Sequence, residues 1–131
     1  EPLELTLNQS AVNMEINKNV DGLELISTGG DPKVILGQKI CSSMKGNALL
    51  RLEVLASNAG ALQIFIDEGT GYTERNSYTA RYSEGDNILL VPVASGHCQN
   101  VRLDPFVDDG TIILKSLQIA PMVIRPSRKY D

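Results

Sequence analysis

Apolar and polar residues alternate with a period of two in one short run after another. No stretch repeats its apolar residues at the 3.6 spacing of a helix. In residues 48–57, Leu50, Leu52 and Val54 fall on one side and Arg51 and Glu53 on the other. In residues 61–67, Leu62, Ile64 and Ile66 alternate with Gln63, Phe65 and Asp67. Successive side chains of an extended chain point to opposite faces, so each run is a strand with one face in a core. Residues 3–7, 12–16, 20–27, 33–36, 76–82 and 87–93 read the same way, separated by Gly, Pro, Asn and Asp. Roughly nine short strands with such turns between them make an all-β sandwich or barrel, with almost no helix.

The chain is organised around Asn100-Val101-Arg102-Leu103-Asp104-Pro105 and the run 111–119. The first is a strand with a sharp Asp-Pro exit. A turn at Asp108-Asp109-Gly110 leads to the second, a long last strand. The preceding strands pair with these two or face them. Runs 48–57 and 61–67, joined at Asn58-Ala59-Gly60, are expected to form a hairpin. Pro92 in the run 87–93 marks an edge strand or a strand end.

A length of 131 residues suits one domain, which we expect over residues 1–124, with a polar tail or linker at 125–131. A chain of this size buries enough surface to need no metal or disulfide staple. The 42% hydrophobic and 21% charged residues are ordinary for a globular domain. The net charge of −4 and the lack of any basic stripe argue against nucleic acid as a partner. No apolar run is long enough for a membrane-inserted helix. A start at Glu1 and a polar end suggest a domain of a longer protein or a processed chain. Cys41 and Cys98 could pair in an oxidising compartment, but two free and mostly buried thiols are the expectation.

Four features occur in order: the strands of residues 50–67; Gly71-Tyr72-Thr73-Glu74-Arg75-Asn76-Ser77; Gly85-Asp86-Asn87-Ile88; and Val101-Arg102-Leu103-Asp104-Pro105 followed by Gly110-Thr111-Ile112 and Ser116-Leu117-Gln118-Ile119. With Gly30-Asp31-Pro32 near the start, they span about residues 20–120. Together they resemble the carbohydrate-binding-module-like β-sandwich domains attached to bacterial surface-polysaccharide glycosyltransferases and other glycan-active enzymes. The resemblance implies an antiparallel sandwich of jelly-roll, galactose-binding-like type. It also implies a non-catalytic accessory role beside the catalytic domain of a parent protein. The compartment stays open: cytoplasmic for a glycosyltransferase, otherwise cell envelope or secreted.

The expected ligand site is Tyr72, Glu74, Arg75, Asn76 and Tyr78. Flat aromatic rings stack on the C–H face of a sugar, and neighbouring polar groups bond its hydroxyls. The absence of Trp makes such binding weak. Tyrosines alternating on a strand, here Tyr78 and Tyr82, also serve as packing residues. Arg102 and Asp104 share a face, and we expect Arg102 in a structural ion pair with Asp104 or Asp31. No cofactor is expected, although Asp67-Glu68 or Asp108-Asp109 could offer oxygens to a structural calcium. His97 sits beside Cys98 without the orienting third group that nucleophilic catalysis needs. The expected function is weak binding or positioning of polysaccharide. The alternative is an assembly domain that contacts protein and no sugar.

Overall fold

A computed structural model describes residues 11–44, 46–106 and 110–122. The expected strand at 3–7, the turn residues Asp108 and Asp109, and the tail 125–131 lie outside the described residues.

Ten strands are described: β1 (Ala11–Val12), β2 (Met14–Asn19), β3 (Gly22–Ser27), β4 (Lys33–Ile35), β5 (Gly46–Ala56), β6 (Gly60–Asp67), β7 (Ser77–Tyr82), β8 (Gly85–Ser95), β9 (Asn100–Asp104) and β10 (Thr111–Pro121). They form two five-stranded sheets, a front sheet in the order β1-β4-β9-β6-β7 and a back sheet in the order β2-β3-β10-β5-β8. Every pairing is antiparallel. The organising stretch supplies the central strand of each sheet, β9 in front and β10 behind. β8, which carries Pro92, is an edge. Helix is confined, among the described residues, to α1 (Gln38–Ser42) and one 3₁₀ turn at Glu74–Asn76.

The core lies between the sheets, where the expected alternation is realised. Leu50, Leu52 and Val54 on β5 meet Leu62, Ile64 and Ile66 on β6, each at most 2% exposed. The order of the sheets corrects one expectation. β5 and β6 do not form a hairpin: β5 pairs with β8 and β10, whereas β6 pairs with β7 and β9. Residues 57–59 cross from one layer to the other. There Ser57 ties the crossing to β10, its amide bonding the Thr111 carbonyl and its hydroxyl accepting from the Thr111 amide, each at 3.0 Å. Crossing places the two apolar faces opposite each other, so each covers the other.

The expected strand at 12–16 likewise divides. Asn13 has a positive φ of 54°, which breaks the run so that β1 edges the front sheet and β2 the back. Asn is among the residues that tolerate this conformation. Its side-chain amide reaches the Gly30 carbonyl at 2.6 Å, and its own carbonyl accepts from the Thr28 amide at 2.9 Å.

The expectation of free thiols is also corrected. Cys41 and Cys98 form a disulfide with Cα atoms 5.3 Å apart. The physical reason is the packing of α1 on β9, which brings residues 57 positions apart within bridging reach.

Candidate functional site

The alternation that buries Val101 and Leu103 turns Asn100, Arg102 and Asp104 to the outer face of the front sheet. Register then builds rows across that face. Ile35, Arg102, Phe65 and Ser77 stand side by side on β4, β9, β6 and β7. Asp104, Gln63 and Thr79 form the next row.

Phe65 is only 4% exposed although it lies on the outer face. Arg102 covers it, with the guanidinium carbon 4.2 Å from the ring centre. The same carbon lies 5.0 Å from the ring centre of Tyr72, which comes down from the loop after β6. Both distances are within the range over which a cation is drawn to an aromatic face. The guanidinium also forks onto Asp104, Nε to Oδ1 at 2.9 Å and Nη2 to Oδ2 at 3.1 Å. This realises the expected structural pair of Arg102 and Asp104. The fork occupies two of the five N–H donors of the guanidinium.

The electrostatics follow from burial. The Asp104 carboxyl is held above the usual carboxylate range because desolvation penalises its charge more than the Arg102 bond favours it. The Tyr72 hydroxyl is pushed up, first by burial and then by the charge of Asp67. Asp31, nearly fully solvated, is held below the usual range by its hydrogen bond from Lys33 at 2.9 Å.

The loop that carries Tyr72 is shaped by Asp67. Its Oδ1 accepts from the amides of Gly69 at 2.8 Å and Gly71 at 3.0 Å. Both glycines have positive φ, 120° and 93°, which the loop needs in order to fold back over the sheet. Gln63 pins the following 3₁₀ turn, donating to Glu74 at 2.8 Å and to the Ser77 hydroxyl at 2.9 Å.

Of the expected site residues, Tyr72, Glu74, Arg75 and Asn76 all lie on this loop and turn, at the rim of the outer face. Glu74 and Arg75 are exposed, and Tyr72 and Asn76 are half-buried. Tyr78 is elsewhere. It stands opposite Ile64 on the inner side of β7 and packs against the core. Its hydroxyl both donates to the Ala94 carbonyl and accepts from the Ala94 amide, each at 3.0 Å, and so fastens β7 to β8. Tyr72 and Tyr78 therefore make no common platform. Tyr82 is a packing residue, with its buried hydroxyl on the Pro105 carbonyl at 2.9 Å.

Sequence reasoning missed Phe65 and Gln63 as parts of this face. The signal was present: an aromatic residue at an outward position in a polar row. Asp67 and Glu68, considered for calcium, both accept from backbone amides, Glu68 from that of Gly96 at 3.1 Å. Among the described residues no three His, Cys, Asp or Glu side chains are gathered as metal ligands would be.

No protein-family model matches the sequence, and no curated protein matches it. Solved structures do. A structure described as "CBM4 structure and function" superposes with a TM-score of 0.61 at 12% identity, covering 85% of this chain and 92% of that one. The carbohydrate-binding module CBM6cm-2 from Cellvibrio mixtus lichenase 5A, solved in complex with cellotriose, gives 0.60 at 11% identity, with 88% and 92% covered. The family 29 carbohydrate-binding module CBM29_1 from Piromyces equi gives 0.57 at 16%, with 87% and 81% covered. At such identities the likeness is one of fold. The chain is an antiparallel β-sandwich of the kind that carbohydrate-binding modules adopt.

Proposed function

We propose that this domain is a non-catalytic module that binds a glycan weakly at the Tyr72 rim of the front sheet, as an accessory part of a larger glycan-processing protein. The observation that carries this reading is the stack of Phe65, Arg102 and Tyr72. A half-buried tyrosine ring is held in place over the outer face of the front sheet, beside donors and acceptors suited to hydroxyls. Glu74, Arg75 and Asn76 follow Tyr72 in the adjoining 3₁₀ turn, and Arg102 keeps N–H donors beyond its fork to Asp104. Sandwiches of the same fold have been solved with cellotriose and with cellobiose, the latter in CsCBM6-3 from Clostridium stercorarium, which supports a saccharide as the ligand class. Tyr78 serves this site as a fastening for β7 beneath the rim. The disulfide favours a cell-envelope or secreted setting over a reducing cytoplasm.

One tyrosine offers little stacking area, so we expect a Kd of about 0.1–10 mM, roughly −3 to −5.5 kcal/mol. Calorimetry against a panel of neutral and acidic oligosaccharides tests this. Binding by the folded wild type that is lost in a folded Tyr72→Ala variant supports the reading. An equal response from both proteins refutes the rim as the site.

A second reading has its own observation. Ile88 and Leu90 on the outer side of β8 are each 57% exposed. Such residues suit contact with another domain, and the assembly reading gains if the domain binds a neighbouring domain and no saccharide.

A further inference from the structure

The Cys41–Cys98 disulfide lies outside the ligand rim yet connects to it through a short chain of contacts. One end is fixed in the core. Cys41 is on α1 between the buried Ile40 and Met44, and α1 packs on β9. The other end, Cys98, begins the approach to β9 and is half-buried. Immediately after it, the Gln99 amide donates to the Asp67 carbonyl at 2.7 Å. Just before it, the Gly96 amide donates to Glu68 at 3.1 Å. The Gln99 side chain also lies against Gly69, its Nε2 being 3.4 Å from where a Cβ on that glycine would stand. Asp67 in turn holds the amides of Gly69 and Gly71, and the next residue is Tyr72. The segment 96–99 is thus a buttress clamped to the core at Cys98, and the Tyr72 loop leans on it.

We propose that the Cys41–Cys98 disulfide positions the Tyr72 loop, so that reduction weakens ligand binding at the rim while the sandwich stays folded. The proposal rests on the reading of the rim as a glycan site. A dithiol reductant supplies the two electrons and two protons. It leaves Cys41 and Cys98 as thiols and is itself oxidised to a disulfide. Without the clamp, segment 96–99 keeps its strand ends at Ser95 on β8 and Asn100 on β9 and its bonds from the Gly96 and Gln99 amides, and local opening of the Asp67 loop no longer has to strain α1.

Amide hydrogen exchange and saccharide titration, each with and without dithiothreitol, test the proposal. On reduction the amides of Gln99, Gly69 and Gly71 should exchange at least about tenfold faster, while the Leu52 amide in the core is unchanged. The affinity for any saccharide that binds the oxidised domain should fall by a similar factor. Gln99→Pro removes the amide that bonds Asp67 and leaves the disulfide intact, so it should loosen Gly69 and Gly71 in the oxidised protein as well. Unchanged exchange at the two glycines overturns the proposal, as does exchange that accelerates throughout, Leu52 included. Saccharide binding that survives reduction overturns this inference alone. An oxidised domain that binds nothing in the panel removes the rim reading, while the exchange data still decide whether the disulfide positions the loop.

Discussion

The two sheets have matching inner faces and contrasting outer faces. Inside, each contributes leucines, isoleucines and valines at alternate positions, and the layers cover each other. Outside, the front sheet carries Phe65, Arg102 and Asp104 in one packed cluster roofed by Tyr72. The back sheet carries Ile88 and Leu90 in the open. The ion pairs show the same contrast. Arg102 and Asp104 are 18% and 12% exposed, whereas the back-sheet pair Lys115–Asp86, also at 2.9 Å, is 32% and 72% exposed. Lys115 sits at the irregularity in β10 where the register with β5 shifts between Leu114 and Ser116. One pair is part of a structured surface and the other is solvated decoration. Two sheets with equal claims on the core can therefore differ wholly in what they present to a partner.

The largest expected effect tests the equivalence of the inner faces. Leu52 on the back sheet and Leu62 on the front are 2% and 1% exposed. Leu52→Ala and Leu62→Ala should each cost about 2–5 kcal/mol, from lost transfer energy plus a cavity. Urea denaturation measures both. A loss below about 0.5 kcal/mol at either would place that residue on the wrong face, because a one-residue slip exchanges the faces of a strand.

The next effect separates the outer faces. Arg102→Ala should cost about 3 kcal/mol, at the low end for breaking a buried pair, because it strands the Asp104 carboxylate and uncovers Phe65. Lys115→Ala should leave the melting midpoint unchanged, since exposed pairs contribute little. Equal losses from the two substitutions would erase the distinction between the sheets.

The smallest effect is in pH dependence. The folded pKa of Asp104 is raised above its ordinary value, chiefly by burial. Between the unfolded and folded values, the native state holds a proton that the unfolded chain has released. The contribution of Asp104 to stability is then most favourable below the ordinary carboxylate value and falls as pH rises through the raised one. Asp31, lowered by its bond from Lys33, has the opposite sign: its small contribution is lost as pH falls through its folded value. A carboxyl NMR titration should find Asp104 titrating at higher pH than Asp31. The reverse order would mean that Asp104 is not desolvated.

Much of the fold was legible because period-two alternation is a local property that survives in any sheet arrangement. Leu50, Leu52 and Val54 could be assigned to the core without knowing their neighbours. The same locality explains what was not legible. Alternation is identical whether β5 and β6 pair or cross between layers, so the expected hairpin was wrong although both strands were right. Cys41 and Cys98 meet only because α1 lies on β9, and nothing in either segment announces that packing. The rim divides in the same way. Tyr72, Glu74, Arg75 and Asn76 were found together because they are adjacent in sequence. Tyr78 was grouped with them by proximity, although strand alternation sends it inward. Phe65 and Arg102 join the rim through strand register, which exists only once β6 and β9 are paired.

The central claim is that saccharide recognition belongs to the rim of the front sheet and not to the back. Backbone amide shifts followed during saccharide titration test it most directly, since they report on both faces in one experiment. The account predicts shifts concentrated at Gly69, Gly71, Tyr72, Glu74, Asn76 and Arg102, with Ile88, Leu90 and Lys115 unmoved, and no shifts in a folded Tyr72→Ala variant. Shifts that map instead to β8 and the outer side of β10, or that persist unchanged without the Tyr72 ring, would contradict it.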